Sequence, residues 1–167
     1  EETTSLVLWP EVAKAIDIPM IAAGGVGSGK SMLAAFALGA EAVQIGSRFV
    51  ASNESSAHTN FKNSVVETLE GGTQLSLKQL TPVRLIKNSF WQQATEAEIQ
   101  GASKEEMTNI LGRGRAKLGM FEGNLEEGEL EIGQVSGAIK EIKPAADILK
   151  EIWDEFLLEK ERLKNII

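Results

Sequence analysis

Apolar residues recur at helical spacing in LVLWPEVAKAI, residues 6–16, which puts Leu6, Trp9, Val12, Ala13 and Ile16 on one face. Pro10 then falls near the first turn, where its missing N–H is an orphan donor in any case. The next run, DIPMIAAGG, does not alternate. Residues 19–23 are apolar throughout and end on a glycine pair, which suits a short strand covered on both faces, as in a parallel sheet. SGKSMLAAFALGA returns to the helical period, with Ser28 as N-cap and Gly39 as the stop. EAVQIGSRFVAS supplies a second apolar strand, residues 42–45, closed by Gly46. NESSAHTNFKNSVVETLEGG reads as a capped helix closed by Gly71 and Gly72. Helix, strand, helix, strand, helix with tight connections is the rhythm of an α/β parallel sheet.

That rhythm stops after Gly72. Residues 82–100 and 103–118 read as two helices separated by Gly101, followed by the glycine-rich acidic stretch GMFEGNLEEGELEIGQVSG. The chain closes with KPAADILKEIWDEFLLEKERLKN. Pro144 stands at its head, and Ile148, Leu149, Ile152, Trp153, Phe156 and Leu163 share one face. A helix of about 20 residues there would run about 30 Å. The organisation expected is therefore βα units over 1–72 and a mostly helical C-terminal extension over 73–167.

Composition narrows the functional classes. A chain of 167 residues with net charge −7 and only scattered basic residues lacks the basic stripe that nucleic acid requires, so no nucleic-acid partner is expected. There is no cysteine and a single histidine, His58, which removes thiolate and histidine-rich metal sites; no metal is expected. No apolar run reaches membrane-spanning length, and EETTSLVLWPEV has no basic n-region, so the expectation is a cytoplasmic protein without a membrane partner. The start reads like a cut made inside a domain.

GGVGSGKS, Gly24 to Ser31, fits the nucleotide-binding pattern G-x-x-x-x-G-K-[ST] and lies between a strand and a helix. A P-loop NTPase also needs a magnesium-holding carboxylate, usually an aspartate ending another apolar strand. The only aspartates are Asp17, Asp147 and Asp154, and none ends a strand. A different use of the loop presents itself. AAGG and IGS are successive glycine corners after two strands, and their N–H groups suit one phosphate held between neighbouring strand ends. Phosphate sites after strands 7 and 8 of a (β/α)8 barrel have this form. Glycine corners also serve as plain tight turns, so both readings stand at this point.

The remaining features read mainly as structure. His58, on the helix after the second corner, is read as structural and not as a base. Trp9, Trp91 and Trp153 are read as packing residues. The run EGNLEEGELE lacks the spaced ligands of a calcium loop and reads as solvated. Arg113 and Arg115 read as a solvated charge cluster in preference to a contact for an acidic carrier protein or a nicotinamide cofactor's phosphate.

Residues 18–62, IPMIAAGGVGSGKSMLAAFALGAEAVQIGSRFVASNESSAHTNFK, resemble the last two strands of the flavin-dependent nitronate monooxygenase family, formerly the 2-nitropropane dioxygenases, which also contains FMN-dependent enoyl-acyl-carrier-protein reductases. TPVRLIKNSF and EIGQVSGAIKEIKPAADI resemble that family's C-terminal region. The resemblance implies the C-terminal part of a TIM (β/α)8 barrel binding FMN. The phosphate would lie on the backbone of Gly24, Gly25, Gly46 and Ser47, with Gln44 and Gln134 near the cofactor or the barrel mouth. Ser47 stands where the family usually has threonine, and Ser28 where it often has aspartate. The family's catalytic histidine lies in an A-G-G-H-x-G stretch that would fall ahead of Glu1, so no catalytic residue is expected in this chain. The implied activity is oxidation of alkyl nitronates, a small-molecule substrate, with oxygen. The alternatives are NAD(P)H-dependent enoyl reduction, or a portion that is silent unless joined by the N-terminal part of the same protein or a second copy.

Overall fold

The two apolar runs pair as the pattern requires. In the computed structural model, which describes residues 3–166, β1 (Ile21–Ala23) lies parallel to β2 (Ala42–Gln44), with Ile21 opposite Ala42, Ala22 opposite Val43 and Ala23 opposite Gln44. Between them runs α2 (Gly29–Ala37). Ser28 and Ser31 form a reciprocal capping box at its start, and Gly39 follows its C-cap, Leu38. The chain is mixed α/β and divides into two compact units, Glu1–Phe49 with Lys143–Ile167, and Val50–Ile142.

In the first unit, α1 (Ser5–Ala15) and α2 cover one face of the pair. Trp9, Met20, Ala22, Val26, Ala35 and Ala40 form its core, joined by Val12, Ala13, Ile16, Val43 and Ile45. The opposite face is not covered in this chain: Ile21 is 62% exposed, and Ala23 and Gln44 are exposed beside it. Coverage on both faces, expected from the unalternating runs, is thus met on one. Pro10 also departs from expectation and lies inside α1. The helix starts early because Val7 and Leu8 both donate to the Thr4 carbonyl. Pro10 has no N–H for the Leu6 carbonyl, and Leu6 is 68% exposed, so water can satisfy that oxygen.

The first unit is completed by the end of the chain. α7 (Ala145–Lys164) begins after Pro144 and packs along α2 through Ile148, Ile152 and Phe156, the last meeting Phe36 edge-on at 5.5 Å. Leu149 and Trp153 share the sequence-defined stripe but stay 64% and 50% exposed. The contact with α2 depends on Gly29. A Cβ built there would lie 2.2 Å from the Phe156 amide nitrogen and 2.5 Å from the Ile152 carbonyl oxygen. Only a residue without a side chain lets the two backbones meet.

The second unit begins as α3 (Ser47–Val50) ends. It holds α4 (Thr59–Glu67) and the antiparallel hairpin β3 (Thr73–Ser76) and β4 (Val83–Ile86). Segment 130–132 adds to β4 through Ile86 to Leu130 and Ile132 to Arg84 hydrogen bonds, both 3.0 Å. One apolar cluster holds Phe61, Val65, Leu130, Ile132 and Ile86, and another holds Leu77, Leu85, Phe90, Ala94 and Met107. α5 (Ser89–Ile99), α6 (Lys104–Leu111), a π-helical turn Lys117–Phe121 and a 3-10 turn Gln134–Ala138 complete the unit.

Three sequence-derived helices are shorter than expected here. Residues 82–100 split into β4 and α5, because Val83-Arg-Leu-Ile86 fits a pleated ladder and Asn88 caps α5 by accepting from the Trp91 amide at 2.8 Å. α6 stops at Leu111, before left-handed Gly112. α4 starts only at Thr59, since Ser52 and Ser55 accept hydrogen bonds from loop amides in the preceding turn.

The Gly29 contact yields a direct test. In an open helix Gly29→Ala would gain about 1 kcal/mol of propensity. Against α7 the overpacking, about 1–3 kcal/mol or more, outweighs it, so the variant should unfold at lower urea than the parent. A midpoint equal to or above the parent's would refute the close approach.

Candidate functional site

The two glycine corners leave the same end of the parallel pair. Gly24 follows Ala23 directly, and Gly46 comes two residues after Gln44, whose register partner is Ala23. Adjacent strands lie about 4.8 Å apart, so the two turns emerge side by side. Gly24 and Gly25 both hold left-handed φ angles, +87° and +78°. Consecutive backbone N–H groups in such turns make a concave donor surface for an anion. A Cβ at Gly24 or at Gly46 would meet no atom within 4 Å, so the space over both corners is open. The amides of Gly25 and Gly46 are exposed and enter no hydrogen bond with another described residue. Open space and free donors at neighbouring strand ends suit a phosphate-sized anion.

The rest of the G-x-x-x-x-G-K-S pattern is already occupied. The Glu155 carboxylate of α7 accepts from the Gly29 amide at 2.6 Å and from the Lys30 amide at 3.4 Å. These are donors a nucleotide phosphate would need. The lysine expected to reach a γ-phosphate faces Glu155 and Glu159 instead, at 3.6 Å each. Arg162 hydrogen-bonds Glu159 and holds its carboxyl below the usual carboxylate range, with Lys30 acting in the same direction. The P-loop reading therefore fails: α7 takes the phosphate's place, both by charge and by contact at Gly29. Lys30 is exposed but ion-paired.

The other sequence candidates are placed as follows. Ser47 is half-buried at the first position of α3. Gln44 is exposed on β2 and alternates with Val43 and Ile45, which join the helix-covered core, so it belongs to the open face. Gln134 begins the 3-10 turn of the second unit and lines a cavity of about 480 Å³ with Glu70, Thr73 and Gly137. His58 caps α4, its Nδ1 accepting from the Asn60 amide at 3.1 Å, and it packs on Gly123. It is a structural residue.

Sequence reading missed three groups. Glu155 carried no signal, because its partner at Gly29 lies 126 residues away. Arg115 is not a free surface charge: its guanidinium stacks on Phe90 at 4.5 Å and donates to the carbonyls of Ile110, Leu111 and Glu127. The acidic run is not wholly solvated either, since Glu129 is only 7% exposed. Burial, aided by the neighbouring Glu131 charge and opposed by Arg115, pushes its carboxyl up to about 7. Its place in the segment 129–132, in chain that bonds to β4 and beside apolar Leu130 and Ile132, was not marked by composition.

Comparison with known proteins extends these findings. The family model described as nitronate monooxygenase matches residues 1–155. A probable nitronate monooxygenase of Bacillus subtilis (strain 168) is 30% identical over 151 residues, covering 90% of this chain and 43% of the relative. The structure of FabK from Thermotoga maritima superposes with a TM-score of 0.93 at 39% identity, over 100% of this chain and 53% of FabK. A nitroalkane oxidase from Streptomyces ansochromogenes gives a TM-score of 0.75 at 28% identity, over 95% of this chain and 45% of that one. The chain thus spans about half the length of the proteins it matches.

Glu129 supplies a test by pH. Its carboxyl is raised from about 4.5 to about 7, so its contribution to stability is complete below pH 4.5 and disappears as pH rises through 7. Glu129→Gln should therefore gain on the parent by on the order of 2 kcal/mol between pH 4.5 and pH 8. Urea midpoints of the two proteins across that range check it, and parallel profiles would count against it.

Proposed function

The chain belongs to the nitronate monooxygenase family, and we propose that it supplies the phosphate-holding end of an FMN site in an oxidoreductase of that family. The observation that carries this reading is the pair of open glycine corners, Gly24–Gly25 and Gly46–Ser47, at the same end of adjacent parallel strands. In this reading β1 and β2 are the last two strands of a TIM barrel, 1–72 is the barrel-derived part, and 73–167 is the C-terminal extension. The FMN phosphate dianion is held by backbone N–H groups at the two corners and by the Ser47 hydroxyl, with no lysine or metal needed. Gln44, on the open face next to the second corner, lies toward the rest of the cofactor, while only the family resemblance implies a place for Gln134 near the cofactor or the barrel mouth.

When bound, the flavin supplies the electron chemistry, taking electrons from an alkyl nitronate and passing them to oxygen. This chain's residues bind and orient it. The general base, a histidine by family resemblance, lies ahead of Glu1, and the remaining strands belong to the N-terminal part of the same protein or to another copy. A second reading, reduction of an enoyl thioester with NAD(P)H as donor, has weaker support, from the similarity to FabK at 39% identity. Both use the same corners, and both fit a protein of the cytoplasm.

The experiment is made on the longer protein that contains these residues. Its flavin absorbance should reach about one FMN per chain. Gly25→Val, which forces a branched residue to φ near +78°, should lower FMN affinity at least about tenfold, while Lys30→Ala leaves it unchanged. Loss of flavin in Lys30→Ala with retention in Gly25→Val would overturn the assignment. Turnover of a nitronate with oxygen, against NADH with an enoyl thioester, separates the two activities.

A further inference from the structure

The loop from Gly24 to Ser28 has three glycines in five residues, and glycine loses the most freedom when a backbone is fixed. Such a loop offers its amides to an anion in one geometry only where both ends are held. The near end leaves β1 at Ala23. Val26, in the middle, is 3% exposed and sits in the core with Ala22 and Ala35. At the far end every amide from Gly27 to Met32 has an acceptor. Gly27 and Ser28 both donate to Ser31 Oγ at 3.0 Å, Ser31 donates to Ser28 Oγ at 3.2 Å, and Met32 donates to the Ser28 carbonyl at 3.0 Å. The first amides of a helix have no acceptor within it. Here Gly29 and Lys30 donate to the Glu155 carboxylate, at 2.6 and 3.4 Å. Ser28 and Ser31 belong to the loop and its helix, whereas Glu155 arrives on α7, 126 residues along the chain from Gly29.

We propose that Glu155 is a positioning residue for the cofactor phosphate. It occupies the first amides of α2, so it pins the far end of the loop and keeps those donors from competing for the anion. The Gly25 amide, upstream of the pinned segment, is left facing open space. A short bond to a carboxylate is among the stronger hydrogen bonds a backbone amide makes, and a binding loop fixed in advance loses less freedom when its ligand arrives. The acceptor atom carries this role, and the Lys30 ammonium does not: it lies 3.6 Å from Glu155 on an exposed side chain, where solvent screens the pair. The inference rests on the FMN reading above. It adds that the last helix of the chain sets the geometry of the phosphate corner without touching the phosphate.

The test is made on the longer protein that contains these residues, by comparing its affinity for FMN with that for riboflavin, which lacks the phosphate. The ratio of the two isolates the phosphate's share. Glu155→Ala should lower that ratio at least about tenfold, while Glu155→Gln, which keeps an acceptor for Gly29, should stay within about threefold of the parent. A role confined to packing would weaken both flavins alike, and an unchanged ratio in Glu155→Ala would overturn the proposal. So would a higher ratio, because the freed amides would then be recruiting the phosphate. Should Glu155→Ala fail to fold, Ser31→Ala asks the same question with Glu155 in place. It strips the acceptor from Gly27 and Ser28 and should also lower the ratio, and the parent ratio in that variant would overturn the proposal. Gly25→Val separates the two levels. If it lowers the ratio while Glu155→Ala and Ser31→Ala do not, the corner stands and the positioning role falls. If none of the three changes the ratio, the corner reading falls and this inference with it.

Discussion

The first unit depends on a backbone-to-backbone contact between α2 and α7 at Gly29. A side chain of any size there would collide with the amide of Phe156 and the carbonyl of Ile152. The contact brings the Glu155 carboxylate onto the first amides of α2, where unsatisfied N–H groups and the positive end of the helix dipole favour an anion. It also sets Phe36 against Phe156 and closes the core over β1 and β2. Charge and packing act at one place, so neither can be altered without the other.

That contact separates two anion-friendly places only a few residues apart. The α2 amides are satisfied internally by Glu155. The corners at Gly24–Gly25 and Gly46–Ser47 stay open. One short sequence therefore contains a motif that looks like a nucleotide site and is structural, next to glycine turns with open space above them. Position relative to the sheet decides between them: the corners point off the strand ends, while the helix start is roofed by α7.

Much of the first unit was legible in the chain. The strands, Ser28 as N-cap, Gly39 as stop and the 20-residue last helix all follow from local chemistry, and local chemistry is what periodicity reports. What was not legible is long-range. Glu155 reads as one more acidic residue on a charged helix until Gly29 is set beside it. Glu129 reads as part of a solvated run until the segment around it is seen to hydrogen-bond to β4. Val83 to Ile86 is helix or strand by composition, and the ladder with β3 decides. The corners were legible as turns because glycines after apolar strands carry a local signature. The open face of β1 was not found, because nothing in IAA tells which of its two faces this chain itself covers.

The discontinuity of the first unit bears on how the chain acquires its shape. α2 and α7 meet across 126 residues, and closing a flexible loop of that size would cost about 4 kcal/mol of chain entropy before any contact repaid it. Val50 and Ile142, the first and last residues of the inserted unit, both pack on the cluster of Phe61, Val65 and Leu130. Once that unit has formed, its two ends are held near one another and the effective loop is short. Synthesis makes Val50–Ile142 available before α7 leaves the ribosome, so the insert acts as a tether that delivers the last helix to a half-built sheet.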